Sequence, residues 1–191
     1  MYEIYRVALF GHRTLYDLRK VEDRLAPILE DLLRTKEYVE FYIGRHGEFD
    51  EYAASVIKRA QKSVRDDNSV MILTLPYSVK DLDYYEEYYD EITFPDIGRA
   101  HPKVAITLRN QWMVDTADLV IVYVENHSGG AYKAMTYRPV STFLNCILRN
   151  FFIYNFISRK IIDSQQLLKF VFRVFDVTIS FIHNPFPSCI L

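Results

Sequence analysis

Three glycine-bearing stretches hold the residues best suited to chemistry: Gly11-His12-Arg13, Gly44-Arg45-His46-Gly47-Glu48-Phe49-Asp50 and Ser128-Gly129-Gly130-Ala131. Each follows a short apolar run and precedes a segment with helical character. Glycine lets backbone approach a ligand closely, and the first turn of a helix leaves N–H groups unpaired, so a turn of this kind can receive a phosphate. Arg13 and Arg45 can add charge-assisted hydrogen bonds to the same anion. The plainer reading of each glycine is a sharp turn, and three such turns on one edge weigh against it. A fourth stretch runs from Arg109 to Asp118, Arg-Asn-Gln-Trp-Met-Val-Asp-Thr-Ala-Asp. On a helix, Arg109 shares a face with Met113, and Trp112 with Asp115. Arg109 there can hold phosphate or ribose, and Asp115 can accept from a ribose hydroxyl or steady Arg109. The competing reading is a surface ion pair beside a core of Trp112 and Met113. His12 is either a ring that stacks on a base or donates to phosphate, or a simple turn residue.

Several familiar chemistries are missing. No G-x-G-x-x-G follows the first apolar run and no G-x-x-x-x-G-K-[ST] occurs, which argues against a standard NAD domain and a P-loop NTPase. His46, His101, His127 and His183 have no metal-like spacing, and Cys146 and Cys189 suggest neither a disulfide framework nor a zinc site. No Ser/His/Asp or Cys/His arrangement stands out, and no cofactor is indicated with certainty. The net charge of −2 and pI of about 6.2 give no general attraction to nucleic acid or an anionic membrane. No run of about 18 apolar residues predicts a transmembrane helix. The N-terminus shows no signal-peptide pattern, so a cytoplasmic setting is expected. A homo-oligomer is left open.

The elements that must position these residues alternate. Residues 4–10, 38–43, 70–75 and 119–124 read as strands. Thr14 with Asp17 suggests a helix cap, and Leu18, Val21, Leu25, Leu29 and Leu32 form one helix face, with Pro27 expected to interrupt or kink it. Asp50 suits an N-cap before the stripe Ala53, Ile57, Ala60 and Val64. Residues 81–91 are acidic and hold Tyr84, Tyr85, Tyr88 and Tyr89, which predicts a short surface helix, either solvated or serving as a protein contact. Pro102 suits the first turn of a helix to about Ala117, and another helix begins near Ala131. Alternation of this kind predicts an α/β fold: a Rossmann-like, doubly wound, mostly parallel sheet whose ligands bind at the strands' carboxyl ends.

The character changes after Arg138. Residues 139–191 contain no glycine or alanine and hold nine of the thirteen phenylalanines. Residues 1–138 carry 18 basic and 23 acidic side chains, residues 139–191 only 5 and 2. This divides the chain into a domain, 1–138, and an atypical aromatic tail, 139–191. The tail is read either as a helical extension or as the product of a frameshift or fusion, which an alternate frame after Arg138 at the source locus would reveal.

Taken jointly, the motifs resemble the SLOG superfamily, and more narrowly its YpsA-like branch of Gram-positive bacterial and phage proteins. The residues carrying the resemblance are Gly11-His12-Arg13; Gly44, Gly47, Phe49, Asp50, Tyr52, Ala53 and Ala54; Arg109, Asn110, Trp112, Met113, Asp115, Ala117 and Asp118; and Gly129, Gly130, Ala131 and Tyr132. They span roughly residues 4–137. The resemblance implies a Rossmann-like sheet that binds a nucleotide or nucleotide-derived ligand such as ADP-ribose, and it adds Asn110 to the site. Its enzymatic relatives, the lonely-guy phosphoribohydrolases, use an Arg matching Arg109 and a Glu in P-G-G-x-G-T-x-x-E. Thr136 stands at that Glu here. A threonine supplies no carboxylate to stabilise an oxocarbenium ion or activate water, which favours binding without turnover over hydrolysis. A third reading is an interaction module in cell division or DNA processing. The family pattern also continues past Arg138 with a helix and a strand that Pro139 and the tail replace, so one sheet edge is expected to be incomplete.

Overall fold

The computed structural model describes residues 3–45, 47–98, 100–137, 143–148 and 151–156. These described residues belong to one compact unit. The expected alternation is present: β1 (Ile4–Gly11), α1 (Leu18–Thr35), β2 (Tyr38–Ile43), α2 (Glu48–Val64), β3 (Ser69–Thr74), α3 (Leu82–Glu86), β4 (Glu91–Thr93), α4 (Pro102–Thr116), β5 (Leu119–Tyr123) and α5 (Gly129–Thr136). The sheet runs β4-β3-β2-β1-β5 with every pair parallel, so all five carboxyl ends share one edge. It is a doubly wound α/β fold of Rossmann type.

Strand pleating divides the core into two layers. Ala8, Phe10, Tyr42, Val70, Ile72, Val120 and Val122 face α4 and α5, where Met113, Val114, Ala117, Ala131 and Ala134 cover them. Their neighbours Val7, Leu9, Phe41, Ile43, Met71, Leu73 and Ile121 are buried on the opposite face. That is the side of Phe49 of α2 and of α1, which packs on α2. These strands are apolar on both faces because both faces are covered.

The cap expected from Thr14 with Asp17 falls on Asp17 itself, whose Oδ1 accepts from the Lys20 N–H at 3.0 Å, and α1 starts only at Leu18. Pro27 does not interrupt this helix, which continues to Thr35. Ile28, Leu29, Leu32 and Leu33 are buried beyond it, and that packing outweighs the hydrogen bond proline removes. Asp50 is not the cap of α2: the helix starts at Glu48 after Gly47, which leaves Asp50 in the first turn. β4 was not expected, since three residues headed by an acid carry no pattern.

Residues 143–148 and 151–156 differ from both the helical extension and the boundary at 138. They form β6 (Phe143–Leu148) and β7 (Phe151–Phe156), β7 pairing antiparallel with β5 and β6 with β7. Dense Phe, Ile and Tyr favours strand over helix, and β5 offers an edge to pair with. The edge expected to be incomplete is therefore occupied. His46, Arg138, Pro139 and residues 157–191, with His183 and Cys189, lie outside the described residues. Among the described residues, no helix is long and apolar enough to cross a membrane, and no group of three or more His, Cys, Asp or Glu side chains is placed to hold a metal ion.

Tyr42 offers a test of this packing. Its ring meets Trp112 of α4 edge-on at 5.7 Å, and its hydroxyl donates to Glu40 Oε2 at 2.8 Å. Burial first, then Glu40, push its phenol from 10.0 up to about 12. The folded state thus keeps a proton that the unfolded chain releases, and this stabilising contribution is lost as pH rises from about 10 through about 12. Urea unfolding of Tyr42→Phe should show a shallower loss over that window than the native chain.

Candidate functional site

The carboxyl edge is built from the ends of β1, β2 and β5. Gly11 closes β1 opposite Tyr123 of β5. A Cβ on Gly11 would land in the ring of Phe49, which is fully buried and stacks on Tyr123 with centroids 6.1 Å apart and planes 5° from parallel. That face of Gly11 is filled by protein, so its glycine serves the seating of Phe49 rather than a ligand's approach.

His12 joins two loops. Its Nε2 accepts the backbone N–H groups of Glu125 at 2.8 Å and Asn126 at 2.9 Å. An accepting Nε2 puts the ring proton on Nδ1. His12 is therefore neither an idle turn residue nor, through Nε2, a phosphate donor. It fixes the β5 loop against the β1 loop. His12→Phe should leave those two amides without their acceptor, so they should exchange with solvent roughly tenfold faster while β1 and β5 amides keep their protection, as hydrogen exchange would report.

The β1 and β2 loops also touch. The Glu48 N–H donates to the Arg13 carbonyl at 2.8 Å, and a Glu48 carboxylate oxygen accepts from the Leu15 N–H at 2.6 Å. A Cβ on Gly47 would sit 2.9 Å from Arg13 Cα, so glycine permits this approach. The Arg13 side chain is exposed. Arg45 lies over the Tyr85 ring of α3, 5.5 Å from its centroid.

Arg109 occupies the end of β2. It projects from α4 over Gly44, where a Cβ would lie 2.5 Å from its Nη1 and 2.7 Å from Asp50 Oδ2. The residue is only 5% exposed, and among the described residues its Nε has no hydrogen-bond partner. Nη1 lies 3.5 Å from Met113 Sδ, a weak acceptor. Burial lowers its affinity for its proton, and the Asp50 carboxylate opposes that shift. The surface ion pair expected as the alternative is excluded, because a buried cation stands here with Asp50, not Asp115, as its nearby carboxylate.

Asp115 is not brought to this edge. Helix α4 descends from the carboxyl edge, so Asp115 lies about 9 Å further along its axis. It is exposed and accepts from the Tyr137 hydroxyl at 3.3 Å. Asp118 reaches the amino edge, where its carboxylate accepts from the Arg6 N–H at 2.9 Å.

Helix α5 begins at the same rim. Gly129 has a φ of +90°, a region that favours glycine, and nothing lies within 4 Å of the Cβ it lacks. Asn110 of α4 stands beside Gly130, its Nδ2 3.5 Å from that residue's Cβ position. Thr136 turns away: its hydroxyl donates to the Tyr132 carbonyl at 3.0 Å, one turn back.

The tyrosine-rich segment is not simply solvated. Tyr89 is buried, and burial followed by the charge of Asp50 raises its phenol above the ordinary value. Lys58 of α2 lies 4.4 Å from the Tyr88 centroid. Periodicity alone could not show this, because the segment folds back on α2 through single aromatic contacts.

The loops therefore form a connected series. The β5 loop binds His12, the β1 loop binds Gly47 and Glu48, Gly44 adjoins Arg109, and Asn110 adjoins Gly130 where α5 starts. Of the candidate residues, only Asp115 is remote. Glu48, Tyr89 and Glu125 join the site without having been singled out. Of these, Glu48, directly after Gly47 at a helix start, and Tyr89, in the tyrosine-rich segment, carried a sequence signal, and Glu125 carried none. No family model matches the chain, and no curated protein or solved structure matches it either.

Proposed function

We propose that the protein binds a nucleotide or nucleotide-derived ligand, such as one with an ADP-ribose-like phosphate and ribose, at this carboxyl rim, without turning it over. The observation that carries this reading is Arg109, a residue 5% exposed whose Nε has no partner among the described residues, its guanidinium held over Gly44 beside the loops that follow β1, β2 and β5. A buried cation short of partners is costly unless an anion completes it. The exposed Gly129-Gly130 turn supplies unpaired helix-terminal N–H groups for the same purpose. Gly11 supports the reading only indirectly, by seating Phe49, and His12 by fixing the β5 loop. The resemblance to the YpsA-like SLOG proteins points the same way. Binding is favoured over hydrolysis because Thr136 brings no carboxylate and its hydroxyl is engaged within α5.

Titration calorimetry against a panel of AMP, ADP, ADP-ribose and adenosine tests it. Saturable binding of the phosphate-bearing compounds, without release of free adenine on incubation, is expected. No binding across the panel, or equal binding of adenosine, would overturn it.

A further inference from the structure

Glu125 stands two residues past β5, beside the end of β1. Here the layers part: β2, β3 and β4 lie to one side of β1 and β5 to the other. Such a switch point is where doubly wound sheets open a crevice. Both ends of the residue are fixed. Its backbone N–H donates to His12 Nε2 at 2.8 Å. Its carboxylate lies 3.8 Å from Lys20 Nζ in the first turn of α1, with the side chain 21% exposed. The same carboxylate neighbours the buried Tyr123 phenol and, after burial itself, helps hold the proton there. A carboxylate has about four acceptor positions, so one ion pair at this length and one phenol leave capacity for a ligand donor.

A carboxylate repels phosphate, so its place at a phosphate-receiving rim is on the side of the ligand's hydroxyls. β2 and β5 flank β1 and lie about 10 Å apart, a span that a nucleotide bridges. We propose that Glu125 accepts the ribose hydroxyls of the ligand, so that phosphate lies toward Arg109 and the diol toward the β5 loop, and the site selects ribonucleotides over their deoxy analogues. The inference rests on the nucleotide-binding reading above and adds orientation and sugar specificity to it.

Calorimetric titration of the full chain with AMP and ADP, and with their 2′,3′-dideoxy forms, tests it alongside Glu125→Gln. Gln keeps the side chain's shape and leaves the backbone N–H to His12 untouched. The native chain should prefer the ribo forms about tenfold, the order expected for a pair of hydrogen bonds to a charged acceptor. Glu125→Gln should weaken the ribo forms by a similar factor and should not weaken the dideoxy forms. Equal affinity of the native chain for both sugars, or an equal loss on both in the variant, would overturn this inference while leaving nucleotide binding in place. No binding of any of the four by the native chain would overturn both. Should the variant fail to fold, the native comparison of the two sugars decides alone.

Discussion

Gly11→Ala is expected to lower stability by about 3 kcal/mol or more, read as a fall in the urea midpoint and melting temperature. The added methyl would occupy the Phe49 ring, and that ring cannot yield easily. It is fully buried, stacked on Tyr123, and borne on the second residue of α2. Shifting it would move the Glu48 N–H and carboxylate that hold the β1 loop. Gly129→Ala is the control. It meets no neighbouring atom, only the strain of φ +90°, so about 1 kcal/mol is expected. Combining Gly11→Ala with Phe49→Leu should recover part of the loss. A Gly11→Ala chain with an unchanged midpoint would mean that Phe49 is not seated as described.

Arg109→Met is expected to separate stability from binding. A buried arginine present for structure is destabilising to remove. A buried arginine whose Nε has no partner among the described residues already bears its desolvation cost without full return. Met has comparable length and packs in place of the charge, so the variant should unfold at the same urea midpoint or up to about 1 kcal/mol higher. Asp50 retains partial access to solvent. Affinity for phosphate-bearing nucleotides should drop at least about 100-fold, the worth of a charged hydrogen-bonding pair in a dry site. Lysine is not an adequate substitute, because it cannot present the planar fork that fills the space over Gly44. A strongly destabilised Arg109→Met, with binding intact, would assign Arg109 to the core.

Much of the fold was legible because its signals are local and repeated. Continuous apolar runs gave β1, β2, β3 and β5, and the spacing of Val21, Leu25, Leu29 and Leu32 gave α1. Asp17 and Pro102 marked helix starts by their own chemistry. What failed depended on tertiary partners. Three-residue β4 pairs with the edge of β3, β7 with the edge of β5, and β6 with β7, partners that lie far away in the sequence or carry no pattern of their own. Pro27 is tolerated because the residues after it are buried. In the site, the glycine loops were visible as glycines, but their purposes were not. Whether Gly11 faces a ligand or a phenylalanine is decided by Phe49, 38 positions away. Whether Arg109 meets Asp115 or Asp50 is decided by the direction of α4 across the sheet, which helical spacing cannot show. Glu125 carried no motif at all, and its place at the β1–β5 junction follows from strand order alone.

The Nε–Hε resonance of Arg109, followed by nitrogen-15 NMR while AMP is added, reports most directly on whether the buried guanidinium receives an anion. A progressive shift and slower exchange of that resonance are expected, together with shifts at the Gly129 and Gly130 amides and none when adenosine is added instead. An Arg109 resonance that stays in place while AMP is bound, or that moves equally with adenosine, would contradict phosphate recognition at this rim.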